Sequence, residues 1–322
     1  MAAASLAFIH VRGHRSMEIY LPIAEMSVHW LVVLGMGFGV GFLSGMFGIG
    51  GGFLLTPLLI FYGIPPGVAV ATTASQISAV TFSGVLAHWR RRSVDLKMGA
   101  VMLGGGLVGT VLGVFLFGVL RRMGQSEFSV SASYVILLGA VGGLMLNESI
   151  RTLRAAGNGT SAFGRKPGQH NWIHGLPLKM RFRESRLYIS AIPVVALGFV
   201  GGVLAAIMGV GGAFLMVPVM IYLLKMPTNV VIGTSLFQVL FVTAAATVLH
   251  AADNYTVDIV LALFLILGGV FGVQYGVRVG AKLRGEQLRF WLAVLVLAVA
   301  LRLFFEMVAT PADLYSIAAG AP

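Results

Sequence analysis

The chain alternates between long apolar runs and short polar or charged breaks. Ten apolar runs can be read, over residues 28–47, 51–62, 69–88, 98–120, 131–149, 187–208, 212–224, 229–249, 257–277 and 288–305. A helix that crosses a bilayer needs about 20 predominantly apolar residues. Most of the runs meet that length, whereas the second and the seventh fall short. Both short runs follow a glycine cluster: residues 48–52 read GIGGG and residues 209–212 read GVGG. Consecutive glycines cannot share one helix face, and each costs about 1 kcal/mol in a helix interior. Each cluster is therefore read as a helix break followed by a new, short helix. The pattern leaves open whether the short runs cross the membrane or re-enter it as hairpins with the runs before them. Irregular backbone at membrane depth is tolerated only where protein buries it or where it lines a cavity.

The break occurs twice because the chain is doubled. "GMFGIGGGFLLTPLLIFYG" from Gly45 returns as "AIMGVGGAFLMVPVMIYLL" from Ala206, at an offset of 161. At that offset Gly48, Gly50, Gly51, Phe53, Pro57, Pro66 and Thr73 meet Gly209, Gly211, Gly212, Phe214, Pro218, Pro227 and Thr234. Further along, the offset slips to 163, where Asp95 meets Asp258 and Gly105, Gly109 and Gly113 meet Gly268, Gly272 and Gly276. Chance apolar similarity matches Leu with Val; it does not match Gly, Pro, Thr and Asp in one order.

Composition sets the class. Hydrophobic residues make up 58% of the chain and charged ones 10%, against about 25% charged in soluble domains. This predicts an all-α polytopic membrane protein. The first residues are mixed, with Arg12, Arg15, Glu18 and Glu25, and do not read as a cleavable leader. The absence of cysteine excludes disulfides, thiol catalysis and iron–sulfur ligation. The expected division is an interfacial segment 1–27, a first transmembrane repeat 28–150, a basic cytoplasmic linker 151–186, a second repeat 187–306 and a tail 307–322.

Charge then orients the chain. The net charge is +11, and in a membrane protein Lys and Arg mark cytoplasmic loops. No aromatic–basic module points to nucleic acid. Arg90, Arg91, Arg92 and Lys97 follow the third run, and Arg278, Lys282, Arg284 and Arg289 precede the last. The linker carries Arg151, Arg154, Arg165, Lys166, Lys179, Arg181, Arg183 and Arg186, whereas residues 250–256 hold Asp253 and no cation. With the basic loops inside, the first half starts outside and the second starts inside. Arg121 and Arg122 fall on the wrong side. The expectation is two inverted-topology repeats of about five helical segments each, whose glycine-broken short helices meet near the midplane. In the linker, "LKMRFR" alternates apolar and cationic residues, which fits a strand at the membrane surface or an irregular connector. His170 and His174 lie four apart with no third ligand nearby, so no metal site is expected.

Absent motifs narrow the chemistry. No phosphate-binding loop is present, and "GIGGGF" has neither the spacing nor the βαβ setting of a dinucleotide fingerprint. No acid lies near the middle of a predicted span; Glu148 falls at the cytoplasmic end of one. Neither an enzyme nor a cofactor is expected. A new helix start presents unpaired N–H groups and a partial positive charge, which is an anion site without a charged side chain. Glycine also lets a ligand approach the backbone. The expected donors are Gly50, Gly51 and Gly52 with Gly211, Gly212 and Ala213. Thr73 and Thr234 align, and Gln76 and Gln238 differ by one register position. Their hydroxyls and amides suit oxyanion oxygens, and they suit interhelical hydrogen bonds equally. Gly105, Gly109 and Gly113, like Gly268, Gly272 and Gly276, are spaced for helix packing. His88 and His250 end their spans and could couple protons or sit at the interface. Asp95 and Asp258 begin spans as helix caps.

These residues resemble the sulfite exporter TauE/SafE family, also called the toluenesulfonate uptake permease family. The resemblance rests on "GFLSGMFGIGGGFLLTPLLIFYGIPPGVAVATTASQ" and its second copy "GGVLAAIMGVGGAFLMVPVMIYLLKMPTNVVIGTSLFQ", with "LAHWRRRSVDLKMG", "GGLVGTVLG" and "GGVFGVQYG". The first copy departs from the usual GTS, reading Ala71-Thr72-Thr73-Ala74. The resemblance implies a secondary carrier of small sulfur-containing anions in the bacterial inner membrane, with sulfite, sulfoacetate or thiosulfate as substrates. The expected partners are that sulfur oxyanion and membrane lipids, and the glycine-rich faces would permit a homodimer. A passive anion channel and a non-transporting membrane scaffold are the alternatives the residues leave open.

Overall fold

The computed structural model describes residues 18–47, 52–90, 93–157, 177–182, 184–185, 187–222, 224, 226, 228–280 and 285–308. The same series of elements runs twice. The first half has β1 (Glu18–Leu21), β2 (Met26–His29), α1 (Trp30–Phe47), α2 (Gly52–Phe61), α3 (Pro66–Arg90), α4 (Leu96–Arg122) and α5 (Ser126–Gly157). The second has β3 (Lys179–Phe182), β4 (Leu187–Ser190), α6 (Ala191–Met208), α7 (Ala213–Tyr222), α8 (Thr228–Leu249), α9 (Ile259–Gly280) and α10 (Gly285–Val308). A π-helical turn, His250–Asn254, extends α8.

Each half opens on an antiparallel hairpin, with Leu21 opposite Met26 in one and Phe182 opposite Leu187 in the other. Leu21 and Phe182 are buried beside their turns. The alternation in residues 178–183 thus resolves as a strand over Lys179–Phe182. His170 and His174 lie outside the described residues.

Among the described residues, seven helices are long and apolar enough to cross a membrane, as a multi-pass membrane protein requires. The helices after the glycine clusters, α2 and α7, have 10 residues each. At about 1.5 Å per residue each is about 15 Å long, half of a hydrocarbon core of about 30 Å, so neither crosses alone. On α4, Val108, Val111, Leu112 and Phe115 are exposed, an apolar stripe of the kind that faces lipid.

The helices pair across the halves: α1 on α9, α4 on α6, α3 on α8 and α5 on α10. Glycine stripes make the first two pairs close. A Cβ placed on Gly41 would lie 2.4 Å from the Gly269 carbonyl oxygen, and one on Gly272 would lie 2.2 Å from that of Phe38. Between α4 and α6, a Cβ on Gly109 would fall 2.1 Å from the Phe199 oxygen, and one on Gly202 would fall 2.0 Å from that of Gly106. The stripes read as packing faces do pack, each against backbone of the other half.

Candidate functional site

The second break is described completely. Helix α6 ends at Met208, and Gly209 caps it in the left-handed region at φ +70°, its N–H donating to Ala205 O. This is the conformation in which helices commonly terminate on glycine. Gly211 and Gly212 both take φ +74°. The Gly212 carbonyl accepts from Leu215 N and Met216 N and starts α7. As at any helix start, the Ala213 and Phe214 N–H groups find no backbone acceptor among the described residues. The last carbonyls of α6 are met by side chains from three other elements. His250 Nε2 lies 2.9 Å from Ala206 O. Thr56 Oγ1 and Tyr134 OH donate to Met208 O at 3.2 and 2.7 Å.

Of the first break, Gly50 and Gly51 lie outside the described residues, and Gly52 opens α2. The two helix starts meet. Phe53 and Phe214 stack with centroids 4.6 Å apart at 23°. A Cβ on Gly52 would lie 3.3 Å from Gly209 O and collide with Ile77 Cδ1, while one on Gly211 would touch Ile77 Cγ2 at 3.4 Å. One α3 side chain therefore wedges against both breaks.

The polar residues of α3 and α8 correct the register. Thr72, not Thr73, is the counterpart of Thr234. The Asp258 amide donates to Thr72 Oγ1 at 3.2 Å, and the Asp95 amide donates to Thr234 Oγ1 at 3.0 Å. The offset along these helices is 162, so Gln76 and Gln238 are equivalent, and Ala71-Thr72-Thr73 stands for Gly233-Thr234-Ser235. The slip from 161 occurs before α3, in the connectors 62–65 and 223–227, a place that identity matching within apolar runs does not locate. Thr73 is buried and its hydroxyl has no partner.

The two glutamines occupy matching junctions. A Cβ on Gly269 would lie 2.4 Å from Gln76 Nε2, and one on Gly106, the corresponding glycine of α4, would lie 3.0 Å from Gln238 Nε2. Gln76 is 3% exposed and hydrogen-bonds to no described residue. With Val40, Gly41 and Ser44 it lines a cavity of about 10 Å³, roughly the room one water needs. Gln238 is fully buried; its Nε2 donates to Gly198 O at 3.4 Å and its Oε1 has no partner.

The histidines have unlike settings. His88 Nδ1 lies 2.9 Å from Ser93 Oγ at the end of α3. His250 is buried, with Nε2 on Ala206 O, Nδ1 3.1 Å from Asn254 Nδ2, and its ring edge-on to Phe117. An amide nitrogen only donates, so Nδ1 accepts and the proton sits on Nε2. Arg121, an exception to the charge rule, has a structural role. Its guanidinium donates to Asn254 O and closes the π-helical turn.

The two aspartates do more than cap. Asp95 Oδ1 accepts from Met98 N, and Oδ2 accepts from Ser185 N and Ser185 Oγ in the β3–β4 turn. Asp258 Oδ1 accepts from Leu261 N, and Oδ2 accepts from Ile23 N in the β1–β2 turn. Their repeated spacing signalled the caps; nothing local to either aspartate signalled the hairpins. Among the described residues, no group of three His, Cys, Asp or Glu could hold a metal ion.

The model of a protein family described as sulfite exporter TauE/SafE matches residues 33–303. A probable membrane transporter protein, YjnA of Bacillus subtilis, is 28% identical over 271 residues, covering 83% of this chain and 97% of its own. A probable membrane transporter protein of Xylella fastidiosa strain 9a5c is 29% identical over 275 residues, covering 84% and 93%. Sulfite exporter TauE/SafE family protein 6 of Arabidopsis thaliana shares 51% identity over 51 residues, which is 16% of this chain and 12% of that one. No solved structure matches.

Proposed function

The chain belongs to the sulfite exporter TauE/SafE family of membrane transporters, and we propose that it is a secondary transporter of a small sulfur-containing anion, sulfite or an organosulfonate such as sulfoacetate. It acts in the bacterial inner membrane, by alternating access in a fold of two inverted repeats. The doubled order of elements supports the duplication, and basic loops that fall on one side apart from Arg122 support the inversion, Arg121 being explained by its bond to Asn254. Transporters built this way place their sites where broken helices meet, and here Phe53 and Phe214 bring the two starts together.

The observation that carries the reading is the pair of glutamines. Each is buried at an equivalent place, and each leaves part of its amide without a protein partner. A buried acceptor left unsatisfied, as Gln238 Oε1 is, costs about 1–3 kcal/mol, and Gln76 borders a cavity, which supports reading the pair as the lining of a place kept for a polar ligand. Gln76 Nε2 and the second N–H of Gln238 Nε2 would meet the sulfonyl or sulfite oxygens, Gln238 Oε1, which only accepts, being left for a donor such as water or a protonated ligand group, and the starts of α2 and α7 would add positive potential. Thr234 and Thr72 are engaged by the aspartate amides and orient helices instead. Glycine substitutions are poor probes: Gly212 has φ +74°, and a Cβ there would lie 2.9 Å from Gly201 O, so folding itself would fail.

The test is a thermal-shift panel on the purified protein with sulfite, sulfate, thiosulfate, sulfoacetate, taurine, acetate and chloride. A ligand at 100 times its Kd adds about 2.7 kcal/mol of stability. One sulfur oxyanion is expected to stabilise, with the gain lost in Gln76→Ala and Gln238→Ala while both variants still fold. A flat response across the panel would refute the proposal.

A further inference from the structure

We infer that the bodies that move in transport are not the two sequence repeats but two composites, each holding the first three helices of one half and the fourth helix of the other. The inference rests on the transport reading above. It starts from where the close contacts lie.

Helix α9 belongs to the second half by sequence and to the first by packing. Its glycines interlock with α1: Cβ atoms on Gly268, Gly272 and Gly276 would lie 2.3, 2.2 and 2.0 Å from the carbonyl oxygens of Leu34, Phe38 and Phe42. Helix α4 is exchanged in the opposite sense. Cβ atoms on Gly105 and Gly109 would lie 2.3 and 2.1 Å from the oxygens of Val195 and Phe199 on α6. Backbones this close cannot slide without first separating, because packed helices have discrete arrangements.

The hydrogen bonds divide in the same way. Asp258, at the start of α9, holds the β1–β2 turn at Ile23 and receives α3 through Thr72. Asp95, at the start of α4, holds the β3–β4 turn at Ser185 and receives α8 through Thr234. Gln76 of α3 lies on Gly269 of α9, and Gln238 of α8 lies on Gly106 of α4. One body is therefore β1–β2, α1, α2, α3 and α9; the other is β3–β4, α6, α7, α8 and α4. Helices α5 and α10 pack chiefly on one another.

Between the bodies the close contacts are confined to the breaks, where Thr56 Oγ1 meets Met208 O at 3.2 Å, Phe53 stacks on Phe214 and a Cβ on Gly209 would lie 2.5 Å from Val70 O; farther along α3 and α8 they are of another kind. Ser78 Oγ reaches Leu240 O only at 3.5 Å, and Trp89 meets Phe237 with ring centroids 6.5 Å apart. Bulky side chains at a looser seam can part and re-form. Among the described residues, two connectors then cross from body to body, residues 93–95 and 255–258. They are the hinges, and the second begins after the π-helical turn with Tyr255 at φ +53°. Asp95 and Asp258 are positioning residues that keep each hairpin with its composite body.

The test uses the native absence of cysteine. Phe38→Cys with Tyr275→Cys bridges α1 to α9, whose rings lie 6.3 Å apart, across the repeats but within one body. Trp89→Cys with Phe237→Cys bridges the two bodies. In proteoliposomes loaded with sulfoacetate, closing the first bridge with a short bis(methanethiosulfonate), which forms a disulfide with each cysteine and releases methanesulfinate, leaves transport intact. Closing the second abolishes it, and reduction restores it. Arrest by the first bridge, or full transport with the second closed, would overturn the inference.

A second measurement does not need the substrate. Spin labels are placed at exposed Leu31 and Leu263, in different halves but one body, and at exposed Phe241 and Phe271, in one half but different bodies. In nanodiscs the first pair gives one narrow distance, and the second gives a broad or condition-dependent one. The reverse pattern, or an immobile second pair, refutes the composite bodies even if the substrate class is wrong. If the distances behave as stated and no anion of the panel is carried, it is the transport reading that fails.

Discussion

Asp95→Ala tests the hairpin contacts directly. The carboxylate is 2% exposed and accepts three hydrogen bonds at 2.7 to 3.0 Å, from Met98 N, Ser185 N and Ser185 Oγ. Losing the helix cap costs about 1 kcal/mol. Ser185 is 1% exposed, so its stranded amide adds about 1–3 kcal/mol. Its hydroxyl still has Met98 Sδ, 3.6 Å away, and is left out of the sum. The expected loss is about 2–4 kcal/mol, a substantial part of a typical folding free energy of about 5–15 kcal/mol. Reversible unfolding in mixed micelles measures the total. Hydrogen exchange measures the location: the Ser185 amide should exchange about 5- to 150-fold faster, at a factor of ten per 1.4 kcal/mol. Exchange at Ile23, held by Asp258 on the other hairpin, should not change. A loss below about 1 kcal/mol with Ser185 exchange unaltered would refute the account of the hairpin.

The remaining predictions concern register and packing. Thr72→Val should cost about 1–3 kcal/mol by stranding the buried Asp258 amide, whereas Thr73→Val should be neutral or stabilising because its hydroxyl has no partner; equal losses in unfolding experiments would restore the 161 offset. Gly202→Ala places a methyl 2.0 Å from Gly106 O and should cost about 1–3 kcal/mol or more through overpacking. Gly104→Ala meets nothing within 4 Å and should stabilise by up to about 1 kcal/mol through helix propensity; the folded fraction by size exclusion separates the two.

Much of this architecture was legible in the residues. The apolar runs placed the long helices, and the glycine clusters placed the two short ones, because both signals act over a few turns of one helix. The packing role of Gly105, Gly109 and Gly113 was legible for the same reason: spacing four defines a face. Other features depend on which helices meet, and one strand of sequence does not carry that. The bond from Asp258 to Ile23 joins residues 235 positions apart, and the exchange of α4 and α9 is a property of pairs. The 162 register was hidden because Thr72 and Thr73 are adjacent; only the hydrogen bond to Asp258 distinguishes them. Arg121 departs from the charge rule, and its bond to the Asn254 carbonyl gives that cation a structural role of its own.

The end of α6 shows where the halves stop being equivalent, and it yields a last prediction. Met208 O accepts from Tyr134 and Thr56, both fully buried. At the positions related by 161 to 163, the second half has Val217 for Thr56 and Leu295, Val296 and Leu297 for Tyr134. None of these can donate a side-chain hydrogen bond, so the first break has no matching pair of donors from α7 and α10. A carbonyl oxygen has two lone pairs, and here both are used. Removing one donor leaves the oxygen satisfied and should cost about 0.5–1.5 kcal/mol. Removing both strands a buried acceptor and brings in the full penalty of about 1–3 kcal/mol. Tyr134→Phe and Thr56→Val, alone and together, should therefore be more than additive, measured as a double-mutant cycle on unfolding. Strict additivity would mean that Met208 O is solvated by another route and that the second break does not depend on these side chains. Coupling would establish that the second break is held by groups the first lacks, so a ligand between them meets unequal partners although the helices around it are related by symmetry.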